Sequence, residues 1–180
     1  MSRIRVARLR DLAACYRIAG HLSNEPPTRL EEDLRATDRL LLVAERGGTI
    51  IGYGRAALWR VDPDDGRGGY YLVGVGVRPD HHRQGIALAL TEARMRWIAG
   101  RADEAWYFTN ARNAASIALH GRFGFQEMAR APSFRGVPFS GGEGILYRAW
   151  LRAAARSAGS GADASTGSPV QGWGKPSSAA

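Results

Sequence analysis

The sequence predicts a mixed α/β domain, an α+β arrangement in which helices flank a central sheet of parallel and antiparallel strands. Its 180 residues suffice for one domain with a sizeable core. Apolar residues alternate with period two over residues 71–77, which is the spacing of a strand. From Ile86 the spacing becomes that of a helix, with Leu90, Ala93 and Trp97 on the same face. A strand followed at once by a helix is typical of this fold class.

The N-terminal part predicts a strand, two helices and a hairpin. Residues 4–8 alternate and predict the first strand, and Asp11 is predicted to cap a helix that runs to Gly20. Thr28, with Glu31 three residues later, has the capping-box spacing of a second helix start. The hairpin is predicted from two strands joined at a Gly-Gly pair, residues 40–45 and 49–60.

The C-terminal part alternates helices and strands. Pro79 cannot donate to a sheet and therefore ends the strand, and Gly100 ends the helix that follows. The remaining predicted elements are a strand, a helix ended by Gly124 and two final strands, at residues 105–109, 113–124, 125–131 and 144–152. The whole order is β-α-α-β-β-β-α-β-α-β-β, with unpatterned loops at residues 21–27, 61–69 and 132–143.

Composition divides the chain into a domain at residues 1–155 and a tail at residues 156–180. The tail is rich in Gly, Ser and Ala and is predicted to be disordered. Cys15 is the single cysteine; it lies in an apolar stretch predicted to be core, and it indicates a reducing cytoplasm because it has no disulfide partner. We find no secretory leader and no run of about 18 apolar residues, so we expect a cytoplasmic protein with no membrane contact.

The chain carries a net charge of +8, almost all of it from arginine, since Lys175 is the only lysine. The cations are scattered among acids, so nucleic acid is not the expected partner. Arginine-rich, lysine-poor usage is typical of a biased bacterial genome, and a positive surface also suits an anionic cofactor. The histidines lack Cys or His partners at ligand spacing, so we expect no metal site.

The junction between residues 77 and 86 has the backbone chemistry of an anion site. A helix start exposes about four unpaired N–H groups and carries about half a positive charge. Gly85 lets a ligand approach the main chain, Ala87 keeps the next turn small, and Arg83 adds a cation. The junction therefore predicts a phosphate or diphosphate site, with an ordinary strand-to-helix connection as the alternative.

Residues 82–87 read His-Arg-Gln-Gly-Ile-Ala. They resemble the acetyl-CoA pyrophosphate loop of the GNAT N-acetyltransferases, whose pattern is Gln/Arg-x-x-Gly-x-Gly/Ala, and residues 77–79 match the Val-x-Pro that ends the family's central strand. His82 departs from the pattern, since Gln or Arg is usual there. The resemblance implies that acetyl-CoA is bound, mainly by backbone groups, at His82, Arg83, Gln84, Gly85, Ile86 and Ala87.

A second block, residues 113–125, resembles the family's later segment, Asn-x-x-Ala/Ser-x-x-x-Tyr-x-x-x-Gly-Phe, and the resemblance spans roughly residues 3–150. It implies cofactor contacts from Asn113 and Ser116. His120 stands where the family usually has a proton-donating tyrosine. Its imidazole is predicted to donate to the departing thiolate when protonated, to hold a water or a cofactor atom, or to line the helix without chemistry.

Gly74 and Gly76 fall on one face of the central strand. Their missing side chains let a ligand lie along the strand, mark a bulge, or do both. In the resembled family this strand splays from its neighbour and pantetheine pairs with the main chain, here at Val75, Gly76 and Val77. The N–H near Val75 is implied to polarise the thioester carbonyl.

Relatives with a glutamate base on the fifth strand place it where this chain has Phe108. The acids near the predicted loops are Glu25, Asp64, Asp65 and Glu143. Of these, Glu143 lies between glycines in a loop able to approach the site and is the predicted catalytic carboxylate, with a surface carboxylate that has no catalytic role as one alternative. A water relay is the other alternative.

The resemblance implies acetyl transfer from acetyl-CoA to a primary amine of a small molecule or peptide, by direct attack in a ternary complex. Two other functions stay open, a catalytically silent CoA-binding or regulatory module and, from charge alone, a nucleic-acid-binding protein. A homodimer is compatible with the fold, although the sequence carries no signature for one.

Overall fold

The computed structural model describes residues 2–20, 30–61 and 67–151. Seven strands of the described chain form one sheet in the order β1-β2-β3-β4-β5-β9-β6. A separate two-stranded hairpin is formed by β7 and β8. The elements are β1 (Arg3–Val6), α1 (Leu12–Gly20), α2 (Leu30–Arg35), β2 (Arg39–Arg46), β3 (Thr49–Trp59), β4 (Gly69–Val77), α3 (Ile86–Ala99), β5 (Glu104–Asn110), α4 (Ala114–Gly121), β6 (Gln126–Ala131), β7 (Ser133–Phe134), β8 (Val137–Pro138) and β9 (Gly144–Trp150).

The sheet is mixed, as the sequence predicts. β4 and β5 are its parallel neighbours, and α3 connects them; every other adjacent pair is antiparallel. A parallel pair needs a crossover connection, and the change of period at Ile86 marks the start of that crossover. The predicted α/β architecture with flanking helices is therefore confirmed.

Both faces of the sheet are covered. Along β2, Leu40 and Leu42 pack into one core with α3, whereas Leu41 and Val43 pack into a second core with α1. Buried strands of this kind are apolar on both faces instead of alternating. Cys15 of α1 has no exposed surface and lies in the second core, as predicted.

Several predicted boundaries shift by a few residues. A short 3-10 turn at Leu9–Asp11 precedes α1, and the Asp11 carboxylate accepts the Arg8 N–H at 2.7 Å, so Asp11 caps this turn and directly precedes the first residue of α1. The prediction that Gly124 ends α4 is wrong by three residues, because α4 ends at Gly121 and one further turn follows before Gly124 adopts φ 74°.

The buried face of α3 agrees with the predicted one at Ile86 and Leu90 and departs from it further along the helix. Ala93 and Trp97 are only half-buried. The fully covered residues follow a stripe rotated by one position: Ile86, Leu90, Thr91, Arg94, Met95 and Ile98. The prediction chose the buried positions by hydrophobicity alone. It therefore missed Arg94, a charged residue that is buried on this face.

The connection between β6 and β9 contains the hairpin β7–β8, which the sequence analysis missed. Two-residue strands are too short to show a period. Phe134 is buried there with Tyr71, Trp106 and Leu146, so the hairpin covers one part of the sheet.

Some predictions fall outside the described residues. They concern the loop at residues 21–27, most of the loop at 61–69, the tail at 156–180, and Thr28, Glu25, Asp64 and Asp65. Among the helices that the structure describes, none is long and apolar enough to cross a membrane.

We predict that Asp11→Ala lowers the free energy of unfolding by about 3 kcal/mol, the low end for removing one partner of a buried ion pair. The Asp11 carboxylate is buried and accepts from Arg5 Nη1 at 2.6 Å and from Nη2 at 3.1 Å. Arg5 keeps Glu45 as a partner, which limits the loss. Urea unfolding measures the change.

The matched control is Asp80→Ala, which removes an exposed carboxylate that contacts Arg78 and the His81 ring. Exposed pairs contribute little, so we expect no measurable loss of stability. Equal losses in the two variants would contradict the role assigned to Asp11.

Candidate functional site

The parallel strands β4 and β5 separate soon after they meet. Tyr71 and Trp106 form the single registered pair between them. Beyond that pair a groove of about 770 Å³ opens between β4, the loop that follows it, β5 and α4. Main-chain atoms of a diverging strand have no neighbouring strand to pair with, so they are available to a ligand.

A bulge in β4 accompanies this separation. Arg55 and Ala56 are consecutive on β3, yet they pair with Gly74 and Leu72, which leaves Val73 as an extra residue on β4. A bulge bends its strand and increases the local twist. The bulge, which is one sequence interpretation of Gly74 and Gly76, is therefore confirmed beside Gly74, at the place where β4 separates from β5.

The loop between β4 and α3 presents its main chain to the groove. Arg83 and Gly85 both have positive φ, 60° and 76°, which curls the loop tightly. No backbone N–H from Arg83 to Leu88 donates to another described residue, and Ala89 is the first to do so, to the Gly85 carbonyl at 3.0 Å. Six consecutive free N–H groups at a helix start form a site for an anion.

Two side-chain contacts hold this loop in place. His82 Nε2 donates to the Val77 carbonyl at 2.8 Å, which ties the loop to the end of β4. Arg46 Nη1, from the end of β2, donates to Gln84 Oε1 at 2.8 Å. Gln84 therefore turns to Arg46 and does not line the groove, whereas the other predicted loop residues do.

The start of α4 lies along the opposite wall. Asn113 is the N-cap, and its Oδ1 accepts the Ser116 N–H at 3.0 Å. His120 Nδ1 lies 2.9 Å from the Ser116 carbonyl, which can only accept, so Nδ1 carries the ring proton. His120 Nε2 is consequently a bare acceptor, and it is buried with no partner among the described residues.

The environment of His120 keeps its ring neutral. The imidazole is 4 % exposed and stacks on Tyr107 with ring centroids 4.1 Å apart. Burial lowers the pKa of His120 to about 4; the hydrogen bond to Ser116 opposes the shift, and the nearby charge of Arg94 adds to it. At neutral pH His120 has a vacant acceptor at Nε2 and no second proton to donate.

Glu143 is not among the residues that line the groove. Its carboxylate pairs with Arg130 Nη1 at 2.9 Å, and its side chain is half exposed. Asn110 closes a turn, because its Oδ1 accepts the Arg112 N–H at 2.8 Å and its Nδ2 donates to the Ser140 carbonyl at 2.7 Å. The structure thus brings together the predicted cofactor residues and His120, with Gln84 and Glu143 outside the lining.

The groove also contains residues that the sequence analysis did not single out. They include Arg94 on its floor, Tyr107 and Thr109 from β5, and Leu119 and Arg122 from α4. Arg94 is four residues after Leu90, a spacing that places both on one helical face. That spacing could have predicted the burial of Arg94, but arginine is usually an exposed residue.

Comparisons with known proteins agree with this geometry. Residues 6–125 match the model of a family described as the acetyltransferase (GNAT) family. The chain is 35% identical over 119 residues to a rice protein named acetyl transferase GW6a. That match covers 57% of this chain and 27% of the rice protein, so the chain spans about a quarter of the length of this relative.

Solved structures share the fold. A ribosomal-protein-alanine N-acetyltransferase from Brucella melitensis has a TM-score of 0.68 at 25% identity, over 83% of this chain and 99% of that one. The putative acetyltransferase yncA from Salmonella typhimurium, solved with its cofactor acetyl-CoA, has a TM-score of 0.68 at 25% identity, over 87% and 98% of the two chains.

We predict that His120 makes stability depend on pH below neutrality. Its pKa is about 6.5 when unfolded and about 4 when folded, so the unfolded chain binds more protons between these values. The contribution of His120 to the free energy of unfolding is therefore fully present above pH 6.5 and is lost as the pH falls toward 4. Between pH 7.5 and 4.5 the native protein should lose on the order of 2 kcal/mol that a His120→Gln variant does not lose.

Urea unfolding at the two pH values measures this difference. His82→Gln, which replaces an exposed imidazole, is the control and should retain the native drop. An equal drop in the native protein and His120→Gln would show that His120 is not the responsible group.

Proposed function

The chain belongs to the GNAT acetyltransferase family, and from that premise we propose that it transfers an acetyl group from acetyl-CoA to a primary amine of a small molecule or a peptide. The amine attacks directly within a ternary complex. The observation that carries this proposal is the run of six free N–H groups from Arg83 to Leu88 at one end of the groove.

The residues of the groove fit acetyl-CoA. A diphosphate needs several donors without competing acceptors, and the loop supplies them, with Arg83 and Arg122 as additional cations. Val75 and Val77 line the groove where β4 has left β5, and main-chain groups on that side of the strand are suited to an amide-containing arm. When bound, acetyl-CoA supplies the acetyl group as a thioester, which is an activated acyl donor.

In our proposal, Val75 and His120 lie near the acetyl group of the bound acetyl-CoA. The Val75 N–H donates to the acyl carbonyl. Because His120 Nε2 is a bare acceptor, we assign it to holding a cofactor N–H or a water, which is one of the roles its sequence position allows. Donation to the thiolate would need a protonated ring, which its lowered pKa disfavours.

Glu143 remains our proposed general base. Its carboxylate must leave Arg130 to reach the groove, and its neighbours Gly141, Gly142 and Gly144 give that loop freedom to move. Positioning and exclusion of water supply much of the rate in direct acyl transfer, so a weakly engaged base is compatible with turnover.

The Brucella relative carries a name that describes action on the alanine of a ribosomal protein, which supports a peptide amine as one acceptor class to test. The single buried thiol and arginine-rich composition support a cytoplasmic, bacterial setting. Neither nucleic acid nor metal has a place in the proposed reaction.

A catalytically silent CoA-binding module is the second candidate. It is favoured by two observations: His120 is neutral, and the groove lining of the described residues contains no carboxylate. Titration calorimetry with acetyl-CoA and thiol release with a panel of small and peptide amines separate the two functions. Binding with turnover supports the enzyme, binding without turnover the silent module, and no binding rejects both.

We predict that Gly85→Leu weakens acetyl-CoA binding by at least about a hundredfold, because a side chain there blocks N–H groups whose bonds to a charged ligand are each worth about 1.5–3 kcal/mol. Titration calorimetry measures the affinity. The protein should stay folded, since a Cβ at Gly85 meets no atom within 4 Å.

Gly124→Leu is the matched control. Gly124 has nearly the same φ, 74° against 76°, and a Cβ at this position would likewise meet no atom within 4 Å, so the backbone strain is the same in both variants. Gly124 lies outside the groove lining, and its variant should bind normally. Equal weakening in both variants would count against the loop as the diphosphate site.

A further inference from the structure

An arginine with no exposed surface lies beneath the bulge of β4. Arg94 Nη1 donates to the carbonyls of Gly74 at 3.0 Å and Arg55 at 3.2 Å. Its Nη2 donates to Thr91 Oγ1 at 2.7 Å and its Nε to the Leu90 carbonyl at 3.3 Å. All four acceptors are neutral, and no carboxylate of the described chain pairs with this guanidinium.

Burying a guanidinium without a counter-ion costs free energy of folding, so filling space does not explain why an arginine is here. A buried charge without a counter-ion carries a desolvation penalty that a leucine at the same position would avoid. Burial lowers the pKa of Arg94 to about 9, so the group is still a cation at neutral pH. A reason for keeping it must come from what the guanidinium contacts.

The contact with Gly74 points to that reason. The Gly74 carbonyl and the Val75 N–H belong to one planar peptide unit and point in opposite directions. Because the carbonyl faces a guanidinium that also binds β3 through Arg55, the Val75 N–H faces away from β3, toward the groove that Val75 lines. A charge-assisted bond to a carbonyl polarises its peptide and strengthens the N–H as a donor.

We propose that Arg94 is a positioning residue that fixes the β4 bulge and polarises the Gly74–Val75 peptide, so that the Val75 N–H donates more strongly to the acyl carbonyl. The inference rests on the proposed function, because it is the acyl carbonyl that this N–H would meet. Arg94 acts through the peptide and need not touch the substrate.

The neighbouring strand is built to admit this side chain. A Cβ on Gly54 of β3 would lie 3.1 Å from Arg94 Nε and 3.2 Å from Arg94 Cδ, which is tighter than nine in ten real Cβ contacts, so the arginine would have to shift. Glycine at position 54 therefore makes room for the guanidinium. A substitution at Gly54 would therefore displace the Arg94 side chain while leaving the arginine itself in place.

The first test compares steady-state kinetics of Arg94→Met and Arg94→Lys with the native enzyme. We expect Arg94→Met to lower kcat at least about tenfold, less than the loss of a direct oxyanion donor, with the KM for acetyl-CoA within about twofold because the diphosphate loop is untouched. Arg94→Lys keeps the charge and should be intermediate. Arg96→Met, at an exposed position further along α3, should behave as native.

The second test is a double-mutant cycle with Gly54→Ala. The added methyl group should lower kcat in the native background and have no further effect in Arg94→Met, because the two changes then act on the same contact. Gly54→Ala by itself keeps the proposal testable if Arg94→Met fails to fold, because its expected loss of kcat in the native background does not need the second variant. Additive losses would overturn it.

A third measurement does not require turnover. In the free protein, the Gly74 ¹³C carbonyl and Val75 amide resonances should shift in Arg94→Lys and in Gly54→Ala, and stay in place in Arg96→Met. Unmoved resonances would overturn the proposal even in an active enzyme.

Shifted resonances in a protein that binds acetyl-CoA without turnover would uphold peptide polarisation while rejecting the proposed transfer. A changed melting temperature with native kcat and native resonances would leave Arg94 a purely structural residue and reject the inference.

Discussion

A single extra residue in β4 determines the shape of the groove. Val73 has no partner on β3, and beyond it β4 turns away from β5, with which it shares one registered pair at Tyr71 and Trp106. Regular pairing along the whole strand would fill the gap with hydrogen bonds and leave no main chain free. Because of this opening, the loop before α3 and the start of α4 line one continuous groove.

The sheet survives the interruption because side chains join its two halves. Tyr71 stacks on Trp59 of β3 with centroids 4.6 Å apart and on Trp106 of β5 at 6.4 Å, so one ring bridges the strands where backbone pairing ends. On the other face α3 packs against strands of both halves. Side-chain packing thus replaces the backbone hydrogen bonds that β4 and β5 do not form. The core stays continuous across the two strands, although their main chains separate.

The order of elements and most of the anion loop were predictable because they follow local rules. Periods of two and about 3.6 residues, and the glycine in a basic turn at Gly85, depend only on neighbours in sequence. The direction of Gln84, the ion pair of Glu143 and the burial of Arg94 depend on Arg46, Arg130 and Gly54, which are distant in sequence. No single-sequence pattern records such partners, so residue types at the site were found more readily than their orientations.

Two hydrogen bonds hold the loop between β4 and α3, from His82 to Val77 and from Arg46 to Gln84, and the entropic cost of ordering this loop is met during folding. A loop that must order itself around a ligand loses conformational freedom at each encounter, and its affinity is weakened accordingly. Here the left-handed conformations of Arg83 and Gly85 are already set before any anion arrives. The loop therefore holds its curled conformation in the free chain, which favours association without a slow conformational step.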